Sequence, residues 1–326
     1  MNSSFGRILH GHYARWTWRC GLAAATLLLI VPAAQAQRRL VPGTGHHLDQ
    51  VGDDFEDVEW SYVPNWPKSS EENDGHQRQP GGYSKNGRWY EGAKRGQPDI
   101  IQRVETPIDG IEGSEGALLL RSKQTGVPGR YGGKFQQDDF ICNVKARLRT
   151  GIPVSRQPSV VVRVNMPPWD QWERRWGPTF GIRTTCQTHR VKSERGRFGS
   201  VSRSRKQETY WPGFFVHFVP GNGGDKPDSA FLTMRAGSRG QDIRGPKITE
   251  TGWWTFGMSF TPDGSVHYYA HPGIEDLTED DYLTTQYPYS FRCERMDTMF
   301  FNVVSGDNGN WSTPWVIDEA QVFIAR

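Results

Sequence analysis

The chain has 326 residues, with 39 Lys and Arg against 36 Asp and Glu, which gives a formal net charge of +3. Its 37 Gly, 21 Pro and 12% aromatic residues predict many turns between ring-rich segments, and they exclude a disordered chain. The first 36 residues hold three Arg and no acidic residue, so the rest is formally neutral and lacks the global basic charge typical of nucleic-acid-binding proteins.

The first 36 residues have the pattern of a secretory signal peptide. Three arginines precede an apolar run over residues 21–31, and Pro32 separates this run from the small-residue sequence Ala34-Gln35-Ala36. The run is shorter than the roughly 20 apolar residues that a membrane-spanning helix needs, and no later segment is more apolar. We therefore expect export to the periplasm or the cell exterior of a mature chain that does not span the membrane. An uncleaved N-terminal anchor is the alternative.

The segment after the signal begins with a polar stretch. Residues 37–52 are expected to form a flexible lead-in, followed by one folded domain over residues 53–326. The first strand is predicted over Asp53–Trp60. Residues 61–115 are rich in Gly, Pro and charge and are predicted to form long loops, and strands resume at Ala117–Arg121.

The segment Phe140–Arg149 alternates apolar and polar side chains, because Cys142, Val144, Ala146 and Leu148 are separated by Asn, Lys and Arg. This period of two predicts a half-buried strand. Further strands are predicted from β-branched and aromatic runs at Ser159–Asn165, Thr179–Cys186, Gly213–Val219, Ala230–Arg235, Met299–Ser305 and Trp315–Ala325.

The clearest local signal is a hairpin. Two aromatic and β-branched runs, Trp253–Thr261 and Ser265–Ala270, are joined by Pro262-Asp263-Gly264, in which Pro fixes φ and Gly allows a positive φ. The whole chain shows about ten strand signals at short spacing and almost no helical periodicity. That pattern predicts an all-β fold, an antiparallel two-sheet jelly-roll sandwich with long loops.

One connection between strands carries three tryptophans. Trp169, Trp172 and Trp176 are spaced i, i+3 and i+7 between flanking Pro and Gly residues, which predicts a short helix with one indole face. Such a face would either stack on sugar rings or pack onto the sandwich as a lid, and the sequence leaves both interpretations open.

The hairpin over Gly252–Gly273 resembles the central hairpin of concanavalin A-like (laminin-G-like) sandwiches. The opening Asp53–Asp57 and the closing Trp315–Phe323 resemble the first and last strands of such domains, which pair in one sheet. The resemblance spans residues 53–325 and implies the fold alone, because the superfamily contains lectins, binding modules, hydrolases and lyases.

Two catalytic patterns of that superfamily bear on function. The paired-glutamate strand E-x-D-x-E of its retaining glucanases has no match in the sequence, which argues against that hydrolase chemistry. Gln187-Thr188-His189 resembles the Q-[IV]-H motif of alginate-lyase sandwiches, with Thr in place of the aliphatic residue, while the arginine motif of those lyases has no counterpart. By this resemblance Arg183, Gln187, His189 and Tyr210 would form the catalytic set of a lyase that cleaves acidic glycans by β-elimination.

A basic stretch runs from Arg183 to Lys206 and includes Arg190, Arg195 and Arg197. Guanidinium groups match sulfate and carboxylate groups, which favours a patch that binds sulfated or uronate polysaccharides. The alternative is a solvated loop that keeps an otherwise neutral protein soluble.

Asp53, Asp54 and Asp318 lie on the predicted first and last strands, which we expect to be neighbours. Carboxylate oxygens at such a seam suit a structural Ca²⁺, and ordinary solvent-facing acids are the alternative. No other cofactor is expected.

Three cysteines follow the signal, Cys142, Cys186 and Cys293. Export permits one disulfide without requiring it, and the sequence assigns no pair.

Together these features favour an exported β-sandwich protein that binds a carbohydrate, and more specifically a polysaccharide. The second hypothesis is the lyase, and the third is a non-catalytic structural or surface protein that binds another protein. Nucleic-acid partners are not expected. The predicted ligand-binding residues are Trp169, Trp172, Trp176, Arg190, Arg195 and Arg197.

Overall fold

The computed structural model describes residues 39–76, 78–127, 129–195 and 201–325. The predicted signal peptide and Arg197 lie outside the described residues, as does the side chain of Arg195. Within the described residues two antiparallel sheets pack face to face, which confirms the predicted all-β sandwich. No helix in this part of the chain is long and apolar enough to cross a membrane.

In the described part of the chain, the first sheet is a row of seven hydrogen-bonded strands, and one further strand, β1 (His46–Asp53), pairs with the last strand of the chain, β19 (Trp315–Ile324). In spatial order the row is β17 (Tyr282–Gln286), β16 (Val266–Pro272), β15 (Gly252–Phe260), β9 (Pro158–Met166), β19 (Trp315–Ile324), β6 (Ala117–Arg121) and β5 (Ile100–Val104).

The second sheet follows a longer path, and it has two additional strands. In spatial order the path is β14 (Asp242–Ile248), β13 (Ser229–Arg235), β12 (Gly213–Val219), β10 (Gly177–Arg195), β18 (Arg295–Ser305), β7 (Gln136–Cys142), β4 (Trp89–Glu91), β3 (Tyr83–Ser84) and β2 (Tyr62–Val63). The additional strands are β11 (Val201–Tyr210), which pairs with β10, and β8 (Ile152–Pro153), which pairs with β18.

Helical structure in the described residues is limited to short segments. They are the α-helices α1 (Glu71–Asp74) and α2 (Val144–Leu148) and the 3₁₀ turns Val154–Arg156, Trp169–Gln171, Glu279–Asp281 and Pro288–Ser290.

The core lies between the two sheets and follows from alternation along the central strands. In β10, Phe180 and Ile182 point into the core, while Arg183 points to the opposite face. The Phe180 ring lies 4.7 Å from the ring of Trp315 in the other sheet and 5.8 Å from Phe301 in its own sheet. Full burial of a side chain of this size contributes about 1.5–3 kcal/mol, so these rings hold the sheets together.

Two specific predictions about strands are confirmed. β15 and β16 form the expected hairpin, with Phe260 opposite Val266 and Gly264 in the turn at φ +82°. The first and last strands also pair, because β1 lies antiparallel to β19 with Asp53 opposite Ala320.

The opening strand differs from its predicted position. It spans His46–Asp53, largely inside the segment expected to be a flexible lead-in, and residues 54–60 form no strand, with a turn at Val58 and Glu59. The cause is local: the Asp53 carboxylate accepts a hydrogen bond from the Phe55 backbone N–H at 3.3 Å, and Phe55 adopts a positive φ of 58°. An Asp that binds the backbone two residues later favours a turn over a strand.

The predicted strand Phe140–Arg149 is also only partly correct. Strand β7 ends at Cys142, and residues Val144–Leu148 form α2. The Asn143 side chain accepts a hydrogen bond from the Ala146 N–H at 3.0 Å, which caps the helix N-terminus. Alternation over a few residues therefore gave a false strand signal where an N-cap redirected the chain.

The three tryptophans do not share a helix face. A single 3₁₀ turn spans Trp169–Gln171, and Trp172 already has extended backbone angles. The indole of Trp172 is buried, with its Nε1 donating to the Pro167 carbonyl oxygen at 2.7 Å, whereas Trp176 is 59% exposed. The prediction of one indole face was wrong because the helix ends after one turn.

Strands β10 and β11 extend beyond the rest of the second sheet. β10 pairs with β12 up to Arg183 and with β18 up to Gln187, and β11 is its one partner among the described residues beyond that point. We call this two-stranded extension, residues 188–195 and 201–208, the arm.

Candidate functional site

A cavity of about 720 Å³ lies on the face of the second sheet that points away from the core. Arg183 of β10 and Phe300 of β18, which are paired in register, line its floor together with Phe215 of β12. The loop over residues 93–95 lines one side, and Tyr289 lines another. The cavity therefore combines a guanidinium group with aromatic rings at the centre of a sheet.

Arg183 is the most unusual group in this cavity. It is 6% exposed, its Nη2 donates to the Trp211 carbonyl oxygen at 2.9 Å, and its Nε has no hydrogen-bond partner. Its guanidinium lies 5.4 Å from the ring centroid of Phe215 and 5.6 Å from that of Phe300. No carboxylate of the described residues lies within ion-pair distance of it. Burial, together with nearby Arg235, lowers the pKa of Arg183 to about 10.

Other cations surround Arg183. Arg95 lies 3.8 Å from a carboxylate oxygen of Asp139 and 2.7 Å from one of Glu72. Arg235 pairs with Asp242 at 2.9 Å and donates to a backbone carbonyl oxygen. The cavity lining carries more cations than carboxylates: Lys94, Arg95, Arg183 and Arg235 against Glu72 and Asp139.

The Asp139 carboxylate is already engaged by the protein. It accepts hydrogen bonds from the side-chain amides of Asn302 at 2.6 Å and Gln137 at 3.2 Å. Burial raises the pKa of Asp139, although Arg95 and Arg183 act in the opposite direction. The Asp139 carboxylate is thus held by two amide donors of the protein, and Arg183 does not lie within ion-pair distance of it.

Tyr289 is held in the cavity wall by an unusual backbone. Its φ is +61°, and its N–H donates to the Gly237 carbonyl oxygen at 2.8 Å. A Cβ at Gly240 would lie 2.1 Å from the Tyr289 ring, so only glycine leaves room for it there. The phenol oxygen lies 3.4 Å from Nη1 of Arg235. Tyr289 and Arg235 therefore line the cavity side by side.

The four residues of the proposed lyase set are not brought together. Arg183, Gln187 and His189 share one face of β10, but at about 3.3 Å per residue His189 lies about 20 Å along the strand from Arg183. Gln187 and His189 line a second pocket of about 380 Å³, where His189 Nδ1 is 2.7 Å from a Glu294 carboxylate oxygen.

Tyr210 points to the other side of the sheet. Its ring belongs to the core and lies 5.3 Å from the ring of Phe291, and burial raises its pKa. Arg183 is thus the one member of this set in the cavity, and Tyr210 faces neither pocket.

The other predicted ligand-binding residues also separate. Trp169 and Trp172 pack around Phe218, and Trp172 lies edge-on to Trp315 at 5.1 Å, so these two indoles serve the core. Trp176 alone remains exposed. Arg190 lies on the arm face opposite His189, with its guanidinium 5.3 Å from the Phe291 ring centroid.

Two of the three residues proposed for calcium, Asp53 and Asp318, accept hydrogen bonds from other side chains. The Asp53 carboxylate accepts hydrogen bonds from Asn86 at 2.7 Å and from the indoles of Trp60 and Trp89 at 3.0 and 3.3 Å, so N–H donors occupy its oxygens. Asp318 accepts from Ser114 at 2.9 Å, and burial raises its pKa to about 7. The described residues contain no cluster of three or more acidic, His or Cys side chains arranged for a metal.

The three cysteines after the predicted signal are buried, and none of them forms a disulfide. Burial raises the pKa of the Cys142 thiol to about 12, and it raises that of Cys186 as well. A raised pKa makes the thiols of Cys142 and Cys186 poor nucleophiles, in keeping with their burial in the core.

No protein-family model and no curated protein sequence matches the chain. Solved structures similar to it include an alginate lyase from Pseudomonas aeruginosa, 8% identical over 70% of this chain and 87% of that one, with a TM-score of 0.36. An alginate lyase from Klebsiella pneumoniae is 11% identical over 83% and 95%, with a TM-score of 0.34. The globular domain of T. cruzi calreticulin is 11% identical over 73% and 84%, with a TM-score of 0.33.

Proposed function

We propose that the chain binds an acidic polysaccharide, with a carboxylate or sulfate group of the sugar held at Arg183 in the cavity. The observation that carries this proposal is the incomplete pairing of Arg183, which is almost fully buried yet leaves its Nε without a partner. A buried charge is unfavourable unless it is paired and hydrogen-bonded, and an anion entering the cavity would supply that pairing.

The aromatic lining explains why a sugar acid suits the site better than a free inorganic anion. Phe215, Phe300, Trp211 and Tyr289 line the cavity together with the arginines. Aromatic rings provide flat contact area beside the polar groups that fix orientation. A guanidinium fork matches a carboxylate or sulfate in two parallel hydrogen bonds. A neutral glycan would leave the buried guanidinium unpaired, so the site selects against it.

The same pairing sets the salt dependence. Charges on a protein surface are screened within about 8–10 Å at physiological ionic strength, whereas buried pairs are screened much less. The contact at Arg183 should therefore persist in moderate salt. If the predicted signal peptide directs export, this binding takes place in the periplasm or outside the cell.

A direct test measures binding by calorimetry to alginate and dextran sulfate, with neutral dextran as the reference. We expect the acidic polymers to bind and dextran not to bind. Arg183→Met should weaken binding about 10- to 100-fold, the usual effect of losing a hydrogen bond to a charged group. Arg156→Met removes an exposed arginine from the 3₁₀ turn Val154–Arg156 and should have no effect. Equal binding of dextran, or full binding by Arg183→Met, would contradict the proposal.

A lyase reaction is the second candidate, and the position of Tyr289 favours it. β-Elimination needs a cation at the uronate carboxylate, a base that removes the proton α to it and an acid that protonates the oxygen leaving C4. Arg183 and Arg235 supply cations, and the Tyr289 hydroxyl beside them would serve both proton transfers, taking the α-proton as a phenolate and returning it to the oxygen that leaves C4. The same alginate samples should then gain unsaturated uronate ends with ultraviolet absorbance, and Tyr289→Phe should abolish that gain. Binding without such ends identifies a binding protein, and no binding to any glycan favours the surface-protein alternative.

A further inference from the structure

The second pocket lies on the same face of β10 as the cavity. It has a volume of about 380 Å³ and also carries an excess of cations. Its charged lining residues are Lys145, Arg149 and Arg295 against Glu294 and Asp297, and His189 lies beside them. Two cation-rich depressions therefore lie in line along one strand.

Polar side chains connect the two pockets. Thr185 lines the cavity and Gln187 lines the second pocket, two residues apart on the same strand face. The Gln187 side-chain oxygen accepts hydrogen bonds from Gln207 at 2.8 Å and Thr209 at 3.0 Å of β11, and its amide donates to Asp297 at 3.0 Å. This network keeps the surface between the pockets polar and fixed.

The arm continues the same face with more cations. In β11, Gln207 is paired with His189, Arg205 with Val191 and Arg203 with Ser193, so side chains of these residues project from the cavity side. Arg205 lies 3.4 Å from Glu294, the same carboxylate that contacts His189, which confirms that they share this side. Arg190 and Lys206 are paired on the opposite face.

We propose that one polyanionic glycan chain lies along β10 and β11, from the cavity at Arg183, through the second pocket, to Arg205 and Arg203 on the arm. This inference rests on the proposed function, because it assigns the rest of the path to the same ligand. Arg183 and Ser193 are about 33 Å apart at strand geometry, so only a polymer reaches both ends.

The two-stranded structure of the arm is consistent with glycan binding. A two-stranded ribbon in water is marginally stable, because it has no second layer to bury its side chains. The side chains of His189, Val191, Arg203 and Arg205 are all exposed. A polymer laid on the cavity side would cover one face of the ribbon and pair with its arginines.

The test compares two double variants with the same charge loss on opposite faces of the arm. Arg203→Ser with Arg205→Ser changes the cavity side, and Arg190→Ser with Lys206→Ser changes the other. The probes are an alginate trisaccharide and long-chain alginate, with short and long dextran sulfate in parallel. We expect the cavity-side variant to bind the long chains about tenfold more weakly, as two exposed charge contacts allow. It should bind the short probes as the wild type does.

The outcomes separate the two proposals. If the opposite-face variant loses as much affinity for the long chains, the arm contributes net charge alone and the path along β10 and β11 is overturned. If neither double variant changes the affinity for long chains, the path is also overturned, while binding at Arg183 stands. If no probe binds the wild-type protein, the proposed function itself fails.

Discussion

Two buried cations packed against the second sheet have opposite surroundings. Lys68 is fully buried, and its Nζ donates to the Gln97 carbonyl oxygen at 3.0 Å, to Asp99 at 3.2 Å and to Asp138 at 2.7 Å. Arg183, at 6% exposure, donates to one carbonyl oxygen and leaves its Nε unpaired beside a cavity. A cation with every proton bound is typical of a structural role, and a buried cation with an unpaired donor in the lining of a cavity is typical of a binding site.

The two regions meet on β7. Asp138 and Asp139 are consecutive and therefore point to opposite faces of the sheet. Asp138 pairs with Lys68 and also accepts from the Ser122 hydroxyl at 2.7 Å, while Asp139 lines the cavity floor. One strand thus carries a closed ion-pair cluster on one side and an open cationic site on the other, which shows that burial alone does not identify a functional charge.

The largest expected effect is on stability, at Lys68. Lys68→Met leaves Asp99 and Asp138 without their counter-ion, and breaking a buried pair in this way costs about 3–5 kcal/mol. Urea unfolding above pH 7, where the Asp138 carboxyl is ionised, should show this loss in the free energy of unfolding. Lys85→Met, which removes an exposed lysine, should change that free energy by no more than about 0.5 kcal/mol. If both variants changed the free energy of unfolding by the same small amount, the structural role assigned to Lys68 would be contradicted.

The next effect is a pH dependence at Asp138. Burial raises the pKa of this carboxyl from 3.8 to about 7, although Lys68 opposes the shift. The folded state then binds the proton more tightly than the unfolded state, so the stability from protonation is present below about pH 4 and is lost as the pH rises to about 7. The wild type should lose more stability across this window than Asp138→Asn, as measured by urea midpoints at its two ends. Asp225→Asn, an exposed substitution, should follow the wild type, and identical slopes for all three proteins would contradict the shift.

Much of the fold was predictable, because its signals are local. The Pro262-Asp263-Gly264 turn and the alternating runs beside it predicted β15 and β16 correctly. The wrong predictions were local as well: the Asn143 cap and the Asp53 turn are single side-chain hydrogen bonds that override a strand pattern. Such bonds compete with the period of two over the same few residues.

The cavity was predictable only in part, because its residues come from distant segments. Arg183 was singled out through its neighbours Gln187 and His189, which the structure places in another pocket. Arg95 lies in a segment predicted to be loop, and Tyr289 adopts a positive φ that no local pattern indicates for tyrosine. These residues converge through the pairing order of β7, β18, β10 and β12, which the sequence does not encode locally.

The smallest expected loss of stability among the buried cations is at Arg183, and it tests the comparison with Lys68 directly. Arg183→Met replaces a partly unpaired guanidinium by an apolar side chain of similar length between the rings of Phe215 and Phe300. Replacing a buried charge by a well-packed apolar group is often neutral or stabilising by about 1–4 kcal/mol. The melting temperature should therefore stay unchanged or rise, while acidic-glycan binding weakens about 10- to 100-fold. A loss of stability as large as that of Lys68→Met would mean that Arg183 holds the sheet together, and the cavity would then have no residue whose buried charge is reserved for a ligand.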